Sequence, residues 1–325
     1  NSAFLSVQKI FNNKHSLNLA MIYAPNRRGK VSPNTQEVYD LKGTKYNEYW
    51  GWQEGEKRNS RVKRVVEPIV ILNHDWIIDE NSSLETSIGF QFGEMGNSRL
   101  GYAGGSNPSP AYYQDLPSYF LADSNGPDYQ GAYIAQENFV NNGQINWNRI
   151  YDANITNNLA NINAAYVLYE DRVDDSQITF NSAYLREIND NIKISTSINY
   201  RNLISDNFAE ITDMLGGSGY SNIDSFDFLD YNLLVPNSIA SEGDKFRYHY
   251  KMNVDELSAF AMVDFSFNKL EFFIAGNVTN TNYQRDGVFE NEANAGNSAG
   301  LGDKISFDGY GLKTGLTYKF SGKHI

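Results

Sequence analysis

Apolar and polar residues alternate along much of this chain with a period of two, the signature of half-buried strands. Leu84, Thr86, Ile88, Phe90 and Phe92 form one face of a segment whose other face is Glu85, Ser87, Gly89 and Gln91. The same pattern runs through 192–201, 257–267, 270–279 and 310–320. Weaker alternation near 3–11, 16–24, 68–78 and 177–187 brings the predicted strands to nine. The connections between them go short, long, short, long. Short links fall at Asn12 to His15, Asp79 to Ser83, Ile188 to Asp190, Asn268-Lys269 and Ser321 to His324, and long ones at about 25–67, 93–176, 202–255 and 285–304. Short turns at one end and long loops at the other describe an antiparallel up-and-down meander of the transmembrane β-barrel class. In that class the short turns are periplasmic and the long loops extracellular. All of 1–325 reads as one region. The segment 207–215, ending at Gly216-Gly217, reads as a short loop helix.

Three features favour lipid over a second protein layer against the apolar face. A connection longer than about 12–15 structureless residues is rare in a soluble sandwich. Strands of roughly 9–11 residues suffice to cross a bilayer when tilted. The faces opposite the apolar ones carry Glu85, Lys193, Arg201, Asp264, Glu271 and Lys313, which a dry core would not tolerate; in a barrel they face the lumen. Phe11, Tyr23, Trp76, Phe92, Tyr200, Phe267, Tyr318 and Phe320 fall near predicted strand ends, where interfacial aromatic girdles sit. Runs such as Pro68-Ile-Val-Ile-Leu72 are far too short for a spanning helix. Residues 1–9 already alternate like a strand, so the chain reads as starting within structure. An odd strand count predicts a segment of a larger barrel.

Composition narrows the function. A net charge of −12 argues against a nucleic-acid partner. With no cysteine there is neither disulfide nor thiolate metal site. Twenty-two Tyr, 19 Phe and 4 Trp exclude disorder, and 40 Asn indicate a turn-rich, all-β chain. The four His lack metal-ligand spacing, and His74, inside a strand, reads as packed or lumen-facing. No nucleophile elbow, phosphate loop or dinucleotide fingerprint is present, so no enzyme, cofactor or metal is expected. The acidic stretches Asp123 to Asp128 and Asp224 to Asp230 do not match a calcium loop and read as turn chemistry. The first long loop holds ten of the 27 basic residues. It either attracts anions or pairs locally with Glu37, Asp40, Glu48, Glu54, Glu56 and Glu67. The second is rich in rings, which either stack on ligands or build a small core of the loop's own.

The loop runs Tyr46-Asn-Glu-Tyr-Trp-Gly-Trp-Gln53, Lys57-Arg-Asn-Ser-Arg-Val-Lys63, Pro108-Ser-Pro-Ala-Tyr-Tyr113, Leu116-Pro-Ser-Tyr119, Gln144-Ile-Asn-Trp147 and Gly243-Asp-Lys-Phe246 resemble the barrel region of TonB-dependent outer-membrane receptors of Bacteroidota. That resemblance implies a barrel of about 22 strands, of which this chain supplies wall and part of an extracellular cup. It implies an outer-membrane location and uptake of a nutrient (siderophore, glycan or peptide). The partners it implies are outer-membrane lipid, a plug domain and the TonB complex reached through other parts of the protein, and a surface lipoprotein or other outer-membrane component. For the cup it points to Trp50, Trp52, Arg58, Tyr112, Tyr113 and Trp147. A surface adhesin or scaffold subunit binding through the loops is the alternative.

Overall fold

The computed structural model describes residues 2–122, 124 and 126–320. Nine long strands run through it: β1 (Ala3–Ile10), β2 (His15–Tyr23), β3 (Ile69–Asp79), β4 (Ser82–Tyr102), β5 (Tyr166–Asn189), β6 (Ile192–Asp213), β7 (Lys245–Phe267), β8 (Leu270–Gly287) and β9 (Ile305–Tyr318). Each pairs antiparallel with its neighbour in sequence, giving one continuous meander. Among the described residues β1 and β9 are each paired on one side only.

Asx chemistry closes three of the short turns. Asn12 Oδ1 accepts from the amides of Lys14 (2.8 Å) and His15 (2.9 Å), Asp79 Oδ1 from Asn81 (2.9 Å), and Asn189 Oδ1 from Asn191 (2.9 Å). The fourth uses Asn268 at φ 36°. The link at Ser321 to His324 lies outside the described residues, as does Asp123 of the first acidic stretch.

Register carries the predicted faces across the whole sheet. One row runs Val7, Leu19, Leu72, Ile88, Phe180, Tyr200 and Leu257. The next runs through Ile198, Ala259, Val278 and Tyr310. Among the described residues this apolar face meets no second layer: Ile198 is 53% exposed and Val278 59%. Glu85, Lys193, Arg201, Asp264, Glu271 and Lys313 all share the opposite, polar face by the same register. His74 stands on the apolar face, not the polar one; it is packed, its Nε2 lying 3.1 Å from His15 Nδ1 beside Trp76.

The strands overrun the predicted loop boundaries. β4 continues to Tyr102, β5 begins at Tyr166, β6 ends at Asp213 and β7 begins at Lys245. The long connections are therefore 24–68, 103–165, 214–244 and 288–304. The 207–215 segment is strand to Asp213, not helix, because its backbone is paired on both sides, with β5 and β7. Phe92 and Tyr200, expected at strand ends, stand midway along theirs. Beyond Pro25 and before Pro68, short strands Asn26–Gly29 and Val62–Val66 extend the ladder onto β4. Gly93 makes this passage, at φ 140°, where a Cβ would come within 2.0 Å of Val66 O.

The loop from 103 to 165 builds its own small core, as its rings foreshadowed. Helices α1 (Gln36–Lys42), α2 (Pro117–Leu121), α3 (Tyr129–Asn142) and α4 (Trp147–Leu159) lie in the first two long connections. Val38, Tyr46, Leu116 and Phe139 form one cluster. Ile145, Trp147, Ile150, Ala165, Tyr166 and Leu215 form another, against Leu100, Tyr102 and Leu168. Asn154, wholly buried, clamps α4 to the sheet. Its Nδ2 donates to the carbonyls of Tyr166, Met214 and Leu215 at 2.8–3.1 Å, and its Oδ1 accepts from the amides of Ala165 and Tyr166 at 2.9 and 3.0 Å.

Candidate functional site

Above the apolar band, β4 to β7 project as a rim with two differently furnished faces. The continuation of the polar face carries the candidate site. Its foundation is Val167, Tyr169, Ala209, Ile211 and Phe246, packed beneath Met214, Tyr220 and Ala240 of the 214–244 connection. On that floor opens a recess of about 370 Å³ lined by Arg99, Tyr169, Asp171, Tyr231, Arg247, Tyr248 and Asn291.

A local irregularity creates the recess. The run Lys245-Phe-Arg-Tyr-His-Tyr-Lys251 alternates cations with rings, so a regular strand would put them on opposite faces. The ladder skips here: Ala209 pairs with Phe246 and Phe208 with His249, leaving Arg247 and Tyr248 as a bulge. Arg247 takes φ 63°, a conformation that costs a non-glycine residue about 1 kcal/mol or more. Its amide donates to Asn222 Oδ1 at 2.8 Å. The bulge turns the guanidinium to the ring side, 5.4 Å from the centroid of Tyr169 and 5.5 Å from that of Tyr231.

The charges are asymmetric. Asp171 is engaged by Arg99 and accepts from the Tyr248 hydroxyl at 3.0 Å. Arg247 Nη1 donates to the Tyr169 hydroxyl at 2.9 Å, and among the described residues it forms no ion pair. Burial pushes the Tyr231 hydroxyl up to about 12 and the Tyr169 and Tyr248 hydroxyls upward as well, so all three keep their protons at neutral pH. The recess thus offers a guanidinium with donors to spare, ringed by phenols and bordered by the Arg99-bound carboxylate of Asp171, a chemistry suited to an anionic group.

The apolar-face side of the same rim is built the other way, with every buried cation matched. Arg172 reaches Glu94, Asp174 (2.9 Å) and Glu210 (3.5 Å), and stacks over Phe208. Arg64 reaches Glu94 and Glu170 (3.4 Å). Burial works against the Glu94 carboxylate, yet Arg64 and Arg172 hold its pKa below the ordinary value. His249, whose Nε2 lies 2.8 Å from Asp206 Oδ1, is pushed down by burial and by Lys245, a net lowering despite Asp206.

The meander and its rim have counterparts among solved structures. The ferric citrate transporter FecA, in its unliganded form, superposes over 99% of this chain and 34% of its own, at 7% identity and a TM-score of 0.53. The ferric-catecholate import receptor Fiu from E. coli K12 does so in its open form over 99% of this chain and 44% of its own, at 9% identity and a TM-score of 0.54. Its closed form covers 98% and 41%, at 10% identity and 0.52. The chain folds as the wall of an outer-membrane β-barrel. It spans less than half the length of these barrels. No protein-family model matches it, and neither does any curated protein.

Within the barrel wall, the cup residues expected from sequence gather on the flank rather than at the recess. Trp147 is wholly buried, a packing residue with no surface for a ligand. Arg58 stacks over it at 4.5 Å and is spent on Asp213 (2.6 Å), Gln53 (2.8 Å) and the Tyr151 hydroxyl (3.1 Å). Trp50 and Trp52 meet edge to face at 5.7 Å, with Lys57 Nζ over both. Their strand docks closely on α4's leading residues, for a Cβ on Gly51 would come within 1.9 Å of Ile145 O. Tyr112, half-buried, and Tyr113, exposed, form a separate pair at 4.9 Å. Of the two readings of the basic loop, local pairing finds no ion pair among the described residues: Glu37 accepts from Ser118, Glu48 from Ser32 and Ser109, and the ion pairs of Arg58 and Arg64 go to the strands. Among the described residues no cluster of three metal-ligating side chains occurs. Sequence reading passed over Arg99, Asp171, Tyr231 and Arg247; the alternation of cations and rings at 245–251 was the available signal.

Proposed function

We propose that this chain is wall and extracellular rim of a nutrient-uptake receptor of the TonB-dependent kind in the outer membrane, with the Bacteroidota-like loop motifs pointing to the lineage. On this reading lipid covers the apolar face. Glu85, Lys193, Arg201, Asp264, Glu271 and Lys313 face the lumen, where they meet plug or permeant. The cargo is captured at the Arg247 recess before it passes down the polar face. The observation that carries the reading is the unpaired guanidinium of Arg247, held between tyrosines on the lumen side of the mouth at the expense of a strained backbone. A wall that served only as scaffold has no use for that arrangement. Import by the structurally similar transporters of ferric citrate and ferric catecholates supports a small anionic cargo.

The test uses the protein at its natural length in its own cells. A deletion strain should lose uptake of at least one radiolabelled solute from a set including ferric citrate and ferric catecholates. Wild-type protein should restore it, and Arg247→Gln should restore at least tenfold less while reaching the membrane in equal amount. Normal uptake of the whole set together with lost surface attachment would overturn the transport reading in favour of an adhesin or scaffold.

A further inference from the structure

A second unexplained feature lies in the second long connection, away from the Arg247 recess. Between α2, α3 and the strap 106–110 is a cavity of about 530 Å³, within the range of small-molecule clefts. The Pro108 and Gln144 motifs border it, so the loop signatures noted in the sequence converge here. Its floor is apolar and rigid: Phe139, Ile150 and Tyr166 are buried, and the Tyr166 hydroxyl ties down the strap through Ser106 O at 2.8 Å.

Its polar lining is mostly planar groups, among them Asp115, Asn138, Asn142, Gln144 and Arg149, with the hydroxyls of Ser106 and Ser109 beside them. Gln144 Oε1 is buried without a hydrogen-bond partner, an acceptor whose desolvation nothing in the protein offsets. Arg149 donates once, to Ser106 Oγ at 3.0 Å, and otherwise keeps its donors. A ring platform leads in: Tyr112, Tyr113, Tyr119 and Phe120 follow one another edge to face at 4.9, 5.8 and 5.6 Å, with Tyr113 59% and Tyr119 46% exposed.

This chemistry selects among ligand classes. Amide, carboxylate and guanidinium groups each present two adjacent hydrogen-bonding positions in one plane, which match the paired hydroxyls of a sugar, each both donor and acceptor. The flat C–H face of a pyranose fits an exposed ring. One acid and one base leave the lining without net charge, which disfavours a phosphate or carboxylate ligand. The walls are helices and a strap rather than a free strand edge, which disfavours an extended peptide. We infer that this cavity binds one or two sugar residues of a neutral saccharide. Because Tyr166 stands on the continuation of the apolar face, the site lies on the outer flank of the rim. Both a free oligosaccharide and the headgroup of an outer-leaflet glycolipid can reach it. The inference goes beyond the transport reading and stands or falls separately from it.

The test is calorimetric titration of the natural-length protein in detergent with maltotriose, cellotriose, chitotriose and a galactotriose, then with smooth and deep-rough lipopolysaccharide, and with trialanine as the peptide control. At least one saccharide should bind, and Gln144→Ala and Phe120→Ala should each weaken it at least tenfold. Asn138→Ala, an exposed change that leaves the packing in place, should weaken it at least threefold and serves if the others unfold. Binding of a free trisaccharide marks the soluble source, and binding of smooth but not deep-rough lipopolysaccharide marks the glycolipid. Silence from every saccharide and both lipopolysaccharides, equal binding by all variants, or binding of trialanine alone would overturn the inference. Uptake by Gln144→Ala cells should remain tied to Arg247, which keeps the two proposals distinguishable.

Discussion

The two faces of the rim share the same strands and use arginine to opposite ends. On the flank, Arg172 is nearly buried and surrounded by Glu94, Asp174 and Glu210, so its charge is consumed in holding β4, β5 and β6 together. At the mouth, Arg247 sits between two tyrosines with no carboxylate in ion-pair reach among the described residues. A matched guanidinium has its charge consumed by the fold, whereas Arg247 keeps a charge that no carboxylate offsets, which is what the proposed capture role uses. A bulge of two residues makes the difference, since an unbroken ladder would have sent Arg247 to the flank with Lys245 and His249.

The comparison breaks most visibly at its structural half. Arg172→Met strands three carboxylates around a nearly buried position and should cost about 3 kcal/mol, whereas Arg247→Gln, losing one hydrogen bond to Tyr169, should cost about 1 kcal/mol while abolishing capture. Chemical denaturation of both variants in detergent checks this, and equal losses would erase the distinction. Asn154→Ala, which orphans the groups pinning α4 to the sheet, should cost a similar amount, about 3 kcal/mol; protease nicking confined to 103–165 would report the loosened loop. Lower on the wall, Ile194→Arg on the apolar face should cost about 2–4 kcal/mol in a refolding titration. Lys193→Ala beside it on the polar face, losing only an exposed pair with Glu187, should cost under about 1 kcal/mol.

The smallest effect is on pH. The His249 pKa is lowered in the folded protein, so the folded state resists protonation more than the unfolded one. Its contribution is intact above the ordinary value of 6.5 and diminishes as pH falls below it. The midpoint of unfolding should decline as pH falls below about 6.5, and His249→Gln should flatten that decline. An unchanged slope in the variant would place the acid sensitivity elsewhere.

Much of this wall was legible in the sequence because a sheet with one apolar face follows a simple rule: alternate residues are apolar over a fixed height, as in Leu84 to Phe92. Above that height the rule lapses. Glu94, Gly96, Asp174 and Asp175 are polar on both faces, so the strand continuations looked like loop. Phe208, Ile211 and Leu215 carry helical spacing although the ladder holds Phe208 and Ile211 on opposite faces. Asn154 was hidden among 40 asparagines, since nothing local distinguishes a buried clamp from a turn residue. Trp147 was misplaced for a related reason: a ring's type does not reveal whether it meets a ligand or a core. The recess depends on a bulge, and a register skip is set by pairing partners far away in sequence.

The central claim is that the two faces of the meander meet different media, lipid on one and water on the other. The chain has no cysteine of its own, so single cysteines at Ile198, Val278, Ser197 and Asn277 can each carry one spin label in reconstituted vesicles. Collision rates with oxygen dissolved in the bilayer and with an aqueous nickel chelate then read the medium directly. Labels at Ile198 and Val278 should be relaxed by oxygen and ignored by nickel, and labels at Ser197 and Asn277 the reverse. Equal nickel access at all four positions would contradict the account.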